Sequence, residues 1–156
     1  MIRNRMKRIA VAALAFALLL GGGVITSPHG ARAEGIPVPD ERAAFSVFDP
    51  SHLYLSNGSN SISVSTGNIV VGVSTTATMI VDSIGYTVYI QKWNGSSWET
   101  YGSGNTVGGS NAINFSGNVP KSVASGYYYR ARTIHWVIEN GVYEEGEKFT
   151  SSVLVP

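Results

Sequence analysis

The chain has 156 residues, no cysteine, a formal net charge of +1 and only 13% charged residues, against about 25% in an average soluble domain. The missing cysteine excludes disulfides and lipid attachment through an N-terminal thiol, so an exported domain of this sequence rests on its core alone. Five of the eleven basic residues fall within residues 1–33, where no acidic residue occurs; the remainder carries six against ten, a balance of −4, which does not suit nucleic acid or an anionic membrane.

The chain opens with Arg3, Arg5, Lys7 and Arg8, then an unbroken apolar run of twelve residues from Ile9 to Leu20. Gly21 to Gly30 loosens the run, and Ala31-Arg32-Ala33 supplies small residues two apart. This order predicts a Sec-type signal peptide over residues 1–33, cleaved after Ala33, and a secreted, extracellular product. The apolar run falls short of the roughly 20 residues a spanning helix needs, and Gly21-Gly22-Gly23 discourages extending it as helix. No second apolar segment and no sorting signal is found up to Val153-Leu154-Val155-Pro156, so the cleaved product is expected free of the membrane.

Cleavage leaves 123 residues, the size of one domain. Residues 34–44 (EGIPVPDERAA) hold two prolines two apart and are expected to form an extended, mobile arm. Residues 45–156 are expected to form the domain. Asn57-Gly58, Asn94-Gly95 and Asn140-Gly141 are tight-turn signals, and short runs of period-two alternation lie between them. Strands are predicted at Ile62–Thr66, Asn68–Thr78, Gly85–Trp93, Trp98–Gly102, Asn111–Val119, Gly126–Ile138 and Val142–Val155, the last with a bulge at Gly146. Asp82 reads as a turn residue. The spacing points to an all-β, seven-stranded antiparallel sandwich of the immunoglobulin type.

Tyr127-Tyr128-Tyr129-Arg130-Ala131-Arg132-Thr133 resembles the sixth strand of fibronectin type III domains, although Val71 and Val73 stand where that family usually carries a tryptophan. The stretch from Ser74 to Val155, with VDSIGYTVYIQKWNGSSWE, GYYYRARTIH and NGV, is similar to a family of small secreted proteins of Gram-positive bacteria with no assigned function. That resemblance implies a leader followed by one all-β domain and contributes no catalytic residue.

Chemistry is sparse. His52 and His135 lie far apart without neighbours of ligand type, so no metal and no cofactor is expected; His135 falls on the core-facing register. Glu144-Glu145-Gly146-Glu147 lacks the spaced ligands of a calcium loop and reads as a solvated strand edge. No serine sits in a nucleophile elbow, and Asp82 and Glu99 carry no mark of a glycosidase pair. The chain therefore reads as a non-enzyme, with a small hydrolase as the weakest alternative.

One constellation stands out. Alternation sends Tyr86, Val88 and Ile90 inward and Tyr89, Gln91 and Trp93 outward. On the sixth predicted strand it sends Tyr128, Arg130, Arg132, Ile134 and Trp136 outward. Neighbouring strands would then present Tyr89, Trp93, Tyr128 and Trp136 interleaved with Arg130 and Arg132, a surface suited to sugars or to a protein. The same groups also make a structural ladder, in which Glu144, Glu145 or Glu147 could pair with the arginines. The hairpin tip, with Asn94 and Gly95 between Trp93 and Trp98, could grip a ligand or clamp its own turn. The expected role is binding: a polysaccharide or cell-wall ligand first, an extracellular protein or matrix partner second.

Overall fold

Alternating burial is most regular between Asn68 and Trp93, and there the chain forms one 26-residue strand. The computed structural model describes Gly35, residues 37–40 and residues 47–156, and Gly35–Pro156 makes up one compact unit. The expected leader over 1–33 and the expected domain start at Phe45 lie outside the described residues. The strands are β1 (Leu55–Ser65), β2 (Asn68–Trp93), β3 (Trp98–Thr100), β4 (Asn105–Ser122), β5 (Tyr127–Glu139), β6 (Val142–Phe149) and β7 (Val153–Val155). All pairings between them are antiparallel.

The predicted second and third strands are thus one element. In its first half, Ile69, Val71, Val73, Thr75 and Ala77 are buried; in its second, Ile84, Tyr86, Val88 and Ile90. The exposed Thr78-Met79-Ile80 interrupts the alternation, and the inward parity switches from odd to even between the buried Val81 and the buried Ile84. Pairing with β4 is irregular there, jumping from Thr76↔Asn114 to Val81↔Ala112. Extra residues on one strand bend it and re-aim its side chains, so β2 and β4 pass together from one layer into another. The first half of β2 lies between β1 and the end of β4. The second half lies between β5 and the start of β4, with β3 alongside its last residues. β6 and β7 pair with the far side of β5. The sheet curls until β1 approaches β5, β6 and β7.

Two apolar clusters fill the curl. Ile69, Val71, Tyr86, Val88 and Tyr129 anchor the larger, and Leu55, Ala77, Val81, Ile84 and Val137 form the smaller. Burying each Val or Ile contributes roughly 1.5–3 kcal/mol. β1 and β6 share no backbone ladder, and β6 side chains join them instead. The Glu144 carboxylate accepts from the N–H groups of Leu53 (2.7 Å), Tyr54 (2.9 Å) and Leu55 (2.7 Å). Lys148 Nζ donates to the Gly58 carbonyl at 2.7 Å. From β1, Asn60 Nδ2 donates to Thr133 Oγ1 and to the Lys148 carbonyl.

Several local expectations are corrected. Asn57-Gly58 is no turn; it lies within β1, just after an irregularity in the pairing. Gly146 is no bulge, because the β5–β6 register is unbroken at His135↔Gly146. Its missing side chain makes room for Phe48, whose ring would stand 2.5 Å from a Cβ there. Asp82 is a strand residue of β2, and its carboxylate accepts from Asn140 N. Glu144 is no solvated edge residue, since it is only 9% exposed. The predicted seventh strand is divided between β6 and β7. Asn140-Gly141 does turn β5 into β6, with both residues at positive φ (51° and 76°) as a two-residue hairpin loop requires.

His135 is fully buried, as its register implied. Its Nδ1 lies 2.8 Å from Thr75 Oγ1, whose hydroxyl donates to the Gly85 carbonyl at 3.0 Å. The threonine oxygen therefore accepts from the ring, which places the imidazole proton on Nδ1. Nε2 is buried without a partner among the described residues. Burial first, and the Lys148 charge second, push this imidazole down from 6.5 to about 4. The unfolded chain takes up the proton near pH 6.5 and the folded chain only near 4. Stability from the neutral ring is complete above the first value and is lost as pH falls toward the second, by about 3 kcal/mol in full. Urea midpoints at about pH 7 and about pH 4.5 are expected to show this fall. His135→Leu leaves Thr75 its bond to Gly85 and is expected to flatten it; an unchanged fall in that variant would contradict the assignment.

Candidate functional site

Pairing of β2 with β5 places Tyr89 opposite Arg132 and Gln91 opposite Arg130. The outward side chains then meet as two ring–guanidinium groups. Arg130 lies between two rings, 4.5 Å from the Trp98 centroid and 4.7 Å from that of Phe149. Its Nε donates to Gln91 Oε1 at 2.8 Å, and the residue is only 7% exposed. Arg132 stands 5.6 Å from the Tyr89 centroid and is ion-paired to Glu147. Glu147 faces outward on β6 with Glu145, while Glu144 faces inward. Trp136 pairs with Gly85 in the ladder. Its indole lies across the two neighbouring strands, where a Cβ at Gly85 would stand 2.4 Å from it and one at Gly108 2.7 Å. Tyr128 is half-buried opposite Leu154 of β7.

The structure brings Tyr89 to Arg132 and Trp98 to Arg130; Arg130, expected on an exposed face, is buried instead, and both cations are engaged by neighbouring side chains. Phe149 is the partner that sequence reading missed; it was hidden in a run expected to continue straight to Val155. Trp93 and Trp98 pair across the hairpin, with centroids 5.3 Å apart and planes tilted by 53°. Between them Asn94 Oδ1 accepts from the N–H groups of Ser96 and Ser97, and Asn94 Nδ2 donates to Ser97 and Glu99. Asp82 is held instead at the β5–β6 turn, so the two carboxylates are engaged separately.

A second face differs in character. On the outer side of β1, β2 and β4, cross-strand rows run Ser59–Ser74–Ser116 and Ser61–Gly72–Asn118. They line a shallow open trough of about 560 Å³. Asn114 Nδ2 donates to Ser74 and Thr76 at one end. Ser59, Ser61, Ser116 and Asn118 are exposed, and their side chains make no hydrogen bond among the described residues. The rows carry no charge. Composition alone could not single them out, because serine and asparagine at period two also describe an ordinary solvated face.

If Trp136 is a cover for a glycine floor, its loss destabilises. Trp136→Ala is expected to cost about 2 kcal/mol, less than a fully buried tryptophan. Gly85→Ala is expected to cost about 1–3 kcal/mol, since the new Cβ meets the indole and also the Val107 carbonyl at 2.4 Å. Chemical denaturation measures both; two near-neutral variants would refute the covering role.

No family model and no curated protein matches this chain. Among solved structures, the solution structure of CsgH from R. palustris aligns with 17% identity over 58% of this chain and 89% of that chain, at a TM-score of 0.37. A likeness at that level carries no argument about function.

Proposed function

We propose that the chain is a secreted, non-catalytic β-sandwich of the immunoglobulin and fibronectin type III kind, and that its role is to bind a neutral, polyhydroxylated polymer such as a polysaccharide or cell-wall glycan. The secreted part rests on the basic, apolar and small-residue order of residues 1–33. The binding part rests on one observation: Ser59, Ser61, Ser116 and Asn118 offer hydrogen-bonding groups on three adjacent strands that the protein itself does not use. Sugars are bound through just such directional, uncharged contacts, many of them bridged by water. The Trp136, Tyr89, Arg130 and Arg132 face is the less suited of the two, because its cations already have partners.

A second reading, a protein-interaction module, is favoured by a different feature. Leu53, Met79, Ile80 and Ile113 are 68%, 49%, 58% and 49% exposed, and all lie at the bend of β2 and β4. Thr78 donates to the carbonyls of both Leu53 and Tyr54 there. Exposed apolar groups gathered at one end of a domain mark contact surfaces more often than scattered ones do.

Retention of Gly35–Pro156 on insoluble peptidoglycan and on neutral polysaccharides tests the first reading. Ser61→Glu and Asn118→Asp place charge in the trough and are expected to abolish retention while changing stability by no more than about 0.5 kcal/mol. Retention that survives both substitutions, or no retention on any polymer, would overturn it.

A further inference from the structure

The proline pair and the double-tryptophan tip are explained neither by the core nor by the polar trough, and the structure brings them together. Trp93 Nε1 donates to the Pro37 carbonyl at 2.8 Å. The same proline rests on the turn, since a Cβ at Gly95 would stand 3.8 Å from Pro37 Cδ. Val38 is 74% exposed, whereas Pro39 next to it is buried. Residues 37–40 join no ladder. Each proline fixes its own φ near −65° and biases the residue before it toward extended backbone, which favours a polyproline II course. The aromatic floor is pre-built: Trp98 is packed by Trp93 on the hairpin and by the Arg130 guanidinium from β5. Aromatic grooves hold proline-rich segments in this way, because a polyproline II chain is ordered before it binds and keeps its carbonyls free for donors such as an indole N–H.

We propose that the Trp93–Trp98 tip is a docking site for Pro-x-Pro segments of another polypeptide, and that the chain's own Pro37–Pro39 occupies it in cis. A tethered segment acts at an effective concentration on the order of millimolar. A partner must therefore outcompete the arm, and the arm sets the threshold for engagement. The proposal is independent of the polymer-binding reading, because the tip shares no residue with the trough.

The test uses Gly35–Pro156 with the tryptophan indole N–H signals followed by NMR. The probe is the synthetic peptide EGIPVPDE, which is residues 34–41, beside a version with both prolines replaced by alanine. Substituting Pro37→Gly together with Pro39→Gly removes the proline rings and the extended bias of the arm while keeping the residue 37 carbonyl, and is expected to release the arm without altering the tip. The Trp93 indole signal is expected to move in that variant and to return when EGIPVPDE is added, with no response to the alanine peptide. Wild type at the same peptide concentration should respond far less. Trp93→Phe, which keeps a ring but removes the donor, should weaken peptide binding about tenfold; in that variant binding is read from the Trp98 indole. An indole signal identical in wild type and the glycine variant would overturn the proposal. So would a peptide without effect up to millimolar concentration, or an alanine peptide that binds equally well. An arm-exchanged dimer that free peptide cannot dissociate would assign the site to a second copy and would also overturn it.

Discussion

The curl of the sheet brings β1 beside β6 without a backbone ladder between them, and an inward carboxylate takes that ladder's place. Burial pushes the Glu144 carboxyl up, but the N–H groups of Leu55, Leu53 and Tyr54 outweigh it and hold the group below its usual value. Bonds to an ionised acceptor are short and about twice as strong as neutral ones. They satisfy three consecutive backbone donors at the start of β1. Lys148 and Asn60 continue the same seam toward the middle of β1. Without it β1 would hold to the domain through β2 alone, and the smaller core cluster around Leu55 would open. The neutral His135 lies just inside this seam, where a Cβ at Gly58 would meet its ring at 2.3 Å.

Much of the fold was legible. Period-two alternation located the strands, and the inward registers of Tyr86, Val88, Ile90, Tyr129, Ala131 and His135 followed from it. A break after Thr78 was legible, but not that the chain runs through it as one bent strand, because Thr78 to Ile84 shows no alternation and Asp82 resembles a turn residue. β4, distant in sequence, pairs with β2 on both sides of the bend, up to Thr76 and again from Val81. Asn57-Gly58 misled as well. It is a strong local turn signal, and tertiary contact with His135 and Lys148 overrides it. Glu144 was hidden by its neighbours: an acidic run looks solvated until the pairing with β5 shows that alternate members face inward.

The two outer faces show how little a roster of residue types says about function. Parity alone puts Tyr89, Arg130, Arg132 and Trp136 on the outward side of their strands, but Arg130 is buried there against Trp98 and Phe149. Whether such groups are available depends on partners that parity cannot supply, chiefly Gln91, Phe149 and Glu147. The reverse holds on β1, β2 and β4, where unremarkable serines and an asparagine remain unused. At the hairpin tip, the two tryptophans and the two prolines were each legible separately. Their meeting was not, because more than fifty residues lie between them.

Amide hydrogen exchange at Leu53, Tyr54 and Leu55 tests the side-chain seam most directly. If the Glu144 carboxylate replaces a ladder, these amides are protected to a degree comparable with ladder amides of β5, although no strand pairs with them on that side. The protection disappears in Glu144→Ala while the amides of β5 remain slow. Fast exchange at all three positions in the unaltered protein would contradict the seam, as would protection that survives removal of the carboxylate.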